Sequence, residues 1–124
     1  VLQYNNEKEE LSSIKELIAT YQASAYKSLG IVCKTESQAC QMADKLQIPD
    51  IHFLSNQSSA FVQGIVITSA HMAKGLEFDE VIIPQTDDKN YHSEIDRSML
   101  YVAVTRAMHR LTLTYSGTKH TPFI

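Results

Sequence analysis

IVITSAHMAKGLEFDEVIIP runs from Ile65 to Pro84, and its two apolar ends decide the fold. Ile65-Val66-Ile67 and Val81-Ile82-Ile83 are unbroken β-branched runs, which suit strands of a parallel sheet covered on both faces. The first run predicts a strand over Val62–Thr68, and the second a strand closed by Pro84. Ala70–Lys74 between them reads as a turn or a single helical turn.

Upstream, Leu11, Ile14, Leu17, Ile18, Tyr21 and Ala25 recur at helical spacing. They predict an amphipathic helix from Leu11 to about Ser28, stopped by Gly30, with Val1–Glu10 as a polar entry segment. Ile31-Val32-Cys33 is a short buried strand. A helix follows over Glu36–Leu46, with Ala39, Met42, Ala43 and Leu46 on one face and Pro49 just past its end. Ile51–Leu54 reads as a short strand and Ser55–Ser59 as a polar loop. Downstream, Gln85–His92 is a polar loop in which Asp87 and Asp88 are solvated. Ser93 with Asp96 forms a capping box that opens a helix to about Thr105, and Leu111–Tyr115 is a final alternating strand. Strands alternating with helices predict an α/β domain with a mostly parallel sheet. In such sheets ligands sit beyond the carboxyl ends of the strands, so the loops after Cys33, Thr68 and Ile83 are expected to be functional and the segments before those strands structural.

The 124 residues suit one domain, and a hydrophobic share of 44% is ordinary for a globular chain. No apolar run approaches the roughly 18 residues of a membrane span, and nothing near Val1 reads as a signal peptide. The chain begins at Val1, and the expectation is a piece of something larger. Cys33 and Cys40 lack metal-ligand spacing and read as reduced intracellular thiols. A net charge of −3 argues against a free-standing nucleic-acid binder, while allowing a domain that lends a few contacts to a larger groove.

Three constellations carry candidate chemistry. Thr68, Ser69 and His71 follow the strongest strand with hydroxyls, backbone N–H groups and an imidazole, all good phosphate partners. Gly75 then permits close approach of a ligand, and Glu77 stands between anchoring Leu76 and Phe78. The alternative for this stretch is a solvated surface turn. Arg106 ends a helix that reads as apolar nearly all round from Met99 to Val104, hence buried. It is either a cation stabilising the helix dipole or a guanidinium held to stabilise charge on a transferred phosphoryl group. Lys34 and Thr35 follow a buried strand, and a strand-end lysine reaching solvent is the plainer account of Lys34. A G-x-x-x-x-G-K-[ST] phosphate loop is missing from the sequence, as is an aspartate pair placed to hold Mg²⁺, so no metal ligands are expected here.

In order and spacing these segments resemble motifs IV, V and VI of the second RecA-like lobe of superfamily 1 helicases of the UvrD/Rep/PcrA type. GIVCKTESQA resembles motif IV, ITSAHMAKGLEFDEVIIP motif V and LYVAVTRAMHRLTLTYS motif VI. The resemblance covers about Gly30 to Ser116. It implies an α/β, RecA-like three-layer domain, the P-loop NTPase fold without its own P-loop. Residues 30–124 would form the lobe, and 1–29 an entry segment and N-terminal helix. It further implies that Arg106 is catalytic, reaching the γ-phosphate of an ATP·Mg²⁺ held mainly by a first lobe. Gly75, Glu77 and Lys34 would join Arg106 in binding ATP, and Thr68, Ser69 and His71 would face single-stranded DNA. Lys34 stands where the family usually carries an arginine, which keeps the charge and loses the planar fork. The implied whole protein is a cytoplasmic ATP-dependent DNA helicase, partnered by its first lobe and single-stranded DNA, with this fragment inactive alone. The Cys-Lys-Thr wording of motif IV is closer to the helicase IV/HelD branch, whose HelD-like members act on RNA polymerase, making that enzyme an alternative partner. A catalytically silent binding lobe is the third alternative.

Overall fold

The computed structural model describes residues 1–54 and 64–124. The polar loop expected at Ser55–Ser59 and the strand residues Val62 and Gln63 lie outside the described residues. Six strands are described: β1 Leu2–Tyr4, β2 Ser28–Cys33, β3 Ile51–Leu54, β4 Gly64–Ser69, β5 Phe78–Ile83 and β6 Ala107–Ser116. Three helices join them: α1 Glu7–Gln22, α2 Glu36–Leu46 and α3 Glu94–Val104. Alternation along the strands builds the layers. Leu29, Ile31 and Cys33 of β2, Ile65 and Ile67 of β4 and Ile82 of β5 face one side, where Ile14, Ile18 and Tyr21 of α1 and Ala39, Met42 and Leu46 of α2 cover them. Val32, Val66, Val81 and Ile83 face the other side, against Leu100 and Ala103 of α3 and the Tyr91 ring. The strand order is β1-β6-β5-β2-β4-β3, and every adjacent pair is parallel. This is the three-layer arrangement read from the apolar runs.

The helix ends are set by side chains. Asn6 caps α1 by accepting from the Glu9 N–H at 2.9 Å, Thr35 caps α2 by accepting from the Gln38 N–H at 3.1 Å, and Ser93 and Asp96 form the expected capping box of α3. Each satisfies N–H groups that the helix itself leaves open.

Five local expectations change. The entry segment contains β1, which adds to the edge of β6 with Leu2 opposite Thr114. The first helix begins at Glu7 and ends at Gln22. Ala25 continues its spacing but is exposed, and Ser28 already belongs to β2. Gly30 is therefore no helix stop. It lies inside β2, and a Cβ there would meet the Phe78 ring at 2.6 Å, so the glycine makes room for that ring between the sheet and α3. The last helix is not buried all round: Ile95 is 72% and Tyr101 69% exposed. The 85–92 loop is not simply solvated either. Tyr91 and Thr86 are buried, Asp87 Oδ1 accepts from the Asn90 N–H at 2.8 Å, and Asp88 pairs with Lys119 at 3.5 Å. Burial of the Tyr91 ring draws this polar loop down onto the sheet.

Candidate nucleotide and nucleic-acid faces

In a parallel sheet all strands start at one end and finish at the other. Ser69 closes β4 and Lys34 follows β2, so both lie at the finishing end. Glu77 immediately precedes β5 and Arg106 precedes β6, so both lie at the starting end, and Phe78 pairs with Ala107 there. Six residues of strand separate the ends by about 20 Å. The segment Ala70–Glu77 descends the α3 face from one end to the other, packed by buried Ala70 and Ala73. Motif V therefore supplies both ends from one continuous stretch.

Arg106 is fixed at the starting end. Its backbone N–H donates to the Ala103 carbonyl at 3.2 Å, and its carbonyl accepts from the Phe78 N–H at 2.9 Å. Its Nε donates to the Val102 carbonyl at 3.1 Å, its Nη1 to the Leu76 carbonyl at 3.3 Å and its Nη2 to the Thr105 hydroxyl at 3.2 Å. A guanidinium has five N–H donors, so one donor on each terminal nitrogen remains beyond these contacts, the pairing that suits a phosphate. The C-terminal end of α3 also favours this cation, so the dipole account and the phosphate account are compatible. Gly75 adopts φ +81° and a Cβ there would meet nothing within 4 Å. The glycine is required by backbone conformation, and its open side leaves room for a ligand. Leu76 is half-buried, Phe78 fully buried and Glu77 exposed, as anchors around a presented carboxylate should be.

The residues expected to face nucleic acid divide by burial. Thr68 is fully buried and its hydroxyl donates to the Leu54 carbonyl of β3 at 2.8 Å. Ser69 is 5% exposed, and its hydroxyl accepts from the Met72 N–H at 3.3 Å. The Thr68 hydroxyl thus ties β4 to β3 and the Ser69 hydroxyl shapes the turn, so both side chains are engaged within the fold. His71 is exposed and borders a groove of about 240 Å³ with Lys74 and, across it, Ile95, Met99 and Val102 of α3.

Lys34 is placed apart from the nucleotide group it was expected to join. At the finishing end its ammonium meets Asp96 Oδ1 at 2.7 Å and donates to the Asn90 carbonyl at 2.8 Å. Burial alone would raise the Asp96 carboxyl. Hydrogen bonds from Lys34, from the His92 and Ser93 N–H groups and from the Ser93 hydroxyl outweigh it and hold that carboxyl well below the usual range.

Two buried carboxylates were missed by the sequence reading. Glu10, taken as part of the entry segment, is 3% exposed and accepts from the Gln85 N–H at 2.8 Å and the Thr114 hydroxyl at 2.7 Å. Glu80 is fully buried. Arg110 Nη1 lies 3.6 Å from its Oε1, and neither carboxylate oxygen has a hydrogen-bond partner among the described residues. Burial raises the Glu80 carboxyl, and Arg110 partly opposes this. The only sequence signal for Glu80 was a charge one residue before an apolar run. The thiols stay free. Cys33 is buried, which pushes it up to about 12, and Cys40 is exposed. Among the described residues, no helix is long and apolar enough to cross a membrane, and no group of three or more His, Cys, Asp or Glu could hold a metal ion.

The stretch forming β4, the descending segment, β5, α3 and most of β6 is also the stretch that a family model matches. Residues 64–114 match the family model of the UvrD-like helicase C-terminal domain. The chain is 34% identical over 73 residues to DNA helicase II of Escherichia coli strain K12, a match covering 51% of this chain and 10% of that protein. It is 41% identical over 58 residues to the Gabija protein GajB of Bacillus cereus strain VD045, covering 47% of this chain and 12% of that one. It thus spans about a tenth of the length of these relatives. The solved C-terminal domain of a possible DNA helicase from Lactobacillus plantarum WCFS1 superposes with a TM-score of 0.83 at 25% identity, over 98% of this chain and 75% of that one. The α/β fold is that of helicase C-terminal RecA-like lobes, as the motifs implied.

Proposed function

We propose that this lobe is the second half of an ATP-driven motor on single-stranded nucleic acid, completed by a first lobe that holds most of the nucleotide. One observation carries the reading: Ala70–Glu77 begins beside exposed His71 at the finishing end of the sheet and ends on Arg106, where the Leu76 carbonyl accepts from its guanidinium. A strand lying over His71 and Lys74 and a nucleotide at Gly75, Glu77 and Arg106 would push on the same seven-residue span, His71 to Glu77. Arg106 would stabilise charge developing on the transferred phosphoryl group. Glu77 would sense the nucleotide from the adjacent position, and Gly75 would let its phosphates or ribose approach. ATP brings Mg²⁺, whose charge offsets that of the phosphates. The described residues of this lobe provide no carboxylate cluster for that ion, so its ligands would belong to the first lobe.

Arg106→Ala tests the assignment. In the whole protein it should lower ATP turnover by about a hundredfold or more, within the range for arginine fingers, while ATP affinity changes far less. The isolated lobe should turn over no ATP. Near-wild-type turnover by the variant would leave Arg106 as a helix-end cation, and robust hydrolysis by the isolated lobe would refute the half-site reading.

A further inference from the structure

We propose that Lys34 is a positioning residue: tied to Asp96 in the first turn of α3, it sets the pose of the helix whose far end carries Arg106. The inference rests on the role of Arg106 given above, and it gives Lys34 a part that does not touch nucleotide.

The N-terminal half of α3 has few other anchors. Of Glu94, Ile95, Asp96, Arg97 and Ser98, Asp96 alone is buried. Packing against the sheet begins further along, at Leu100 and Ala103. Arg97 lies over the Phe123 ring at 5.9 Å, near the exposed surface. Asp96 divides its two oxygens between tasks. Oδ2 accepts from the His92 and Ser93 N–H groups at 3.1 Å each, which closes the capping box, and Oδ1 takes the Lys34 ammonium. Lys34 is only 19% exposed, and its second contact, the Asn90 carbonyl, brings in the 85–92 loop. Gln38 of α2 donates to the Asn90 side chain at 2.8 Å. One ammonium thus gathers the ends of β2, the loop and α3.

Lys34 also borders the nucleic-acid end. It follows Cys33, whose carbonyl accepts from the Ala70 N–H at 2.9 Å, one residue before His71. An 11-residue helix is a rod of about 16 Å. With one end tied to Lys34 and the other held by the Leu76 and Phe78 backbone, a shift at Ser69–His71 reaches Arg106 by two routes. One is the descending segment, and the other is Lys34 and α3. An ammonium so engaged, about one strand length from Arg106, is poorly placed to grip a γ-phosphate but well placed to hold the helix.

Lys34→Met, Asp96→Asn, the double variant and Lys34→Arg test this in two settings. Amide hydrogen exchange on this chain reads the helix directly. Both single variants should quicken exchange along α3 as far as the Thr105 and Arg106 amides, to similar extents. The double variant should be no faster than either single, the signature of one shared interaction, and Lys34→Arg should restore protection. In the whole protein, each single variant should lower nucleic-acid-stimulated kcat by about tenfold, as small misplacements of a catalytic group do. Affinities for ATP and ADP should stay unchanged. A lysine on the γ-phosphate predicts the opposite pattern, with weaker ATP but not ADP binding for Lys34→Met and a nearly normal Asp96→Asn. That pattern overturns the proposal. So does an exchange effect that stops within the first turn of α3, or one that adds across the two sites. If the unaltered whole protein showed no ATP turnover, the motor reading would fall, while the exchange comparison would still decide whether Lys34 governs the far end of α3.

Discussion

Gly30→Ala should be among the most damaging single-methyl additions this fold can receive. The new Cβ would stand 2.6 Å from Phe78 Cδ2 and 2.8 Å from both Cε2 and Cγ, where carbon pairs prefer about 3.5–4.0 Å. The overlap is therefore close to 1 Å on three ring atoms at once. Phe78 is fully buried among Val32, Val81, Ala103 and their neighbours, and its backbone is held by the Arg106 carbonyl. The ring cannot swing clear without moving the start of β5. Overpacking of this kind costs about 1–3 kcal/mol, and the upper end applies because the neighbour is rigid. Relief of glycine's conformational entropy returns about 0.5–1 kcal/mol. A net loss of about 2 kcal/mol lowers Tm by about 8 °C in a chain of this size. Phe78→Leu should cost about 1–2 kcal/mol alone as a large-to-smaller core change. Combined with Gly30→Ala it should lose less than the sum, by about 1 kcal/mol or more. Thermal melts of the two singles and the double complete the cycle. Additive losses, or a Gly30→Ala protein melting like wild type, would refute the account of why a glycine sits mid-strand.

Glu80→Gln tests the buried carboxylate by pH. Burial lifts the folded-state carboxyl above its ordinary value of 4.5, so the folded protein binds the proton more tightly than the unfolded one. The Glu80 contribution is then fullest below 4.5 and is lost as pH rises through the folded value. Glu80→Gln should raise Tm at pH 7 by about 4 °C, taking about 1 kcal/mol for relief of an ill-compensated buried charge, and the gain should vanish in acid. Melts from pH 4 to 8 check this, and a gain that is constant or grows in acid would contradict it. Asp96 works in the other direction, because its carboxyl is held below its ordinary 3.8. Its contribution is present above that pH and lost as pH falls further. Glu77→Gln should change the stability of the lobe by under about 0.5 kcal/mol, as for other exposed positions, while lowering the nucleic-acid stimulation of ATPase in the whole protein severalfold. Normal stimulation with a marked loss of stability would make Glu77 a structural residue.

The layers and the strand–helix alternation were legible because burial on both faces writes unbroken apolar runs. Ile65–Ile67, Val81–Ile83 and Ile31–Cys33 could hardly be anything but central strands. The end of α2 followed from the apolar face closing at Leu46 and from Pro49 just past it, while the Thr35 cap at its start appeared only in the structure. What escaped the sequence depended on partners far along the chain. β1 has no apolar run and exists because β6 offers an open edge. Gly30 reads as a stop by local rules and as a socket only when Phe78 is seen across the sheet. Glu10 looked like surface charge until Thr114 and the Gln85 backbone closed over it. At the candidate site, motif spacing led to Arg106, Gly75 and Glu77 at one end of the sheet. The sequence put Lys34 past the end of its strand but could not show its tie to Asp96, because nothing local links the two.

The wholly parallel sheet has a consequence for how the chain reaches this state. Among the described strands no two neighbours pair through a hairpin, so each of their ladders waits for a crossover, and topologies rich in such distant pairings fold slowly. β1 is the extreme case, since Leu2 meets Thr114 only after nearly the whole intervening chain is in place. Until then β6 presents a bare edge to any other extended chain, and a few residues at the start of the sequence act as its lid against wrong partners.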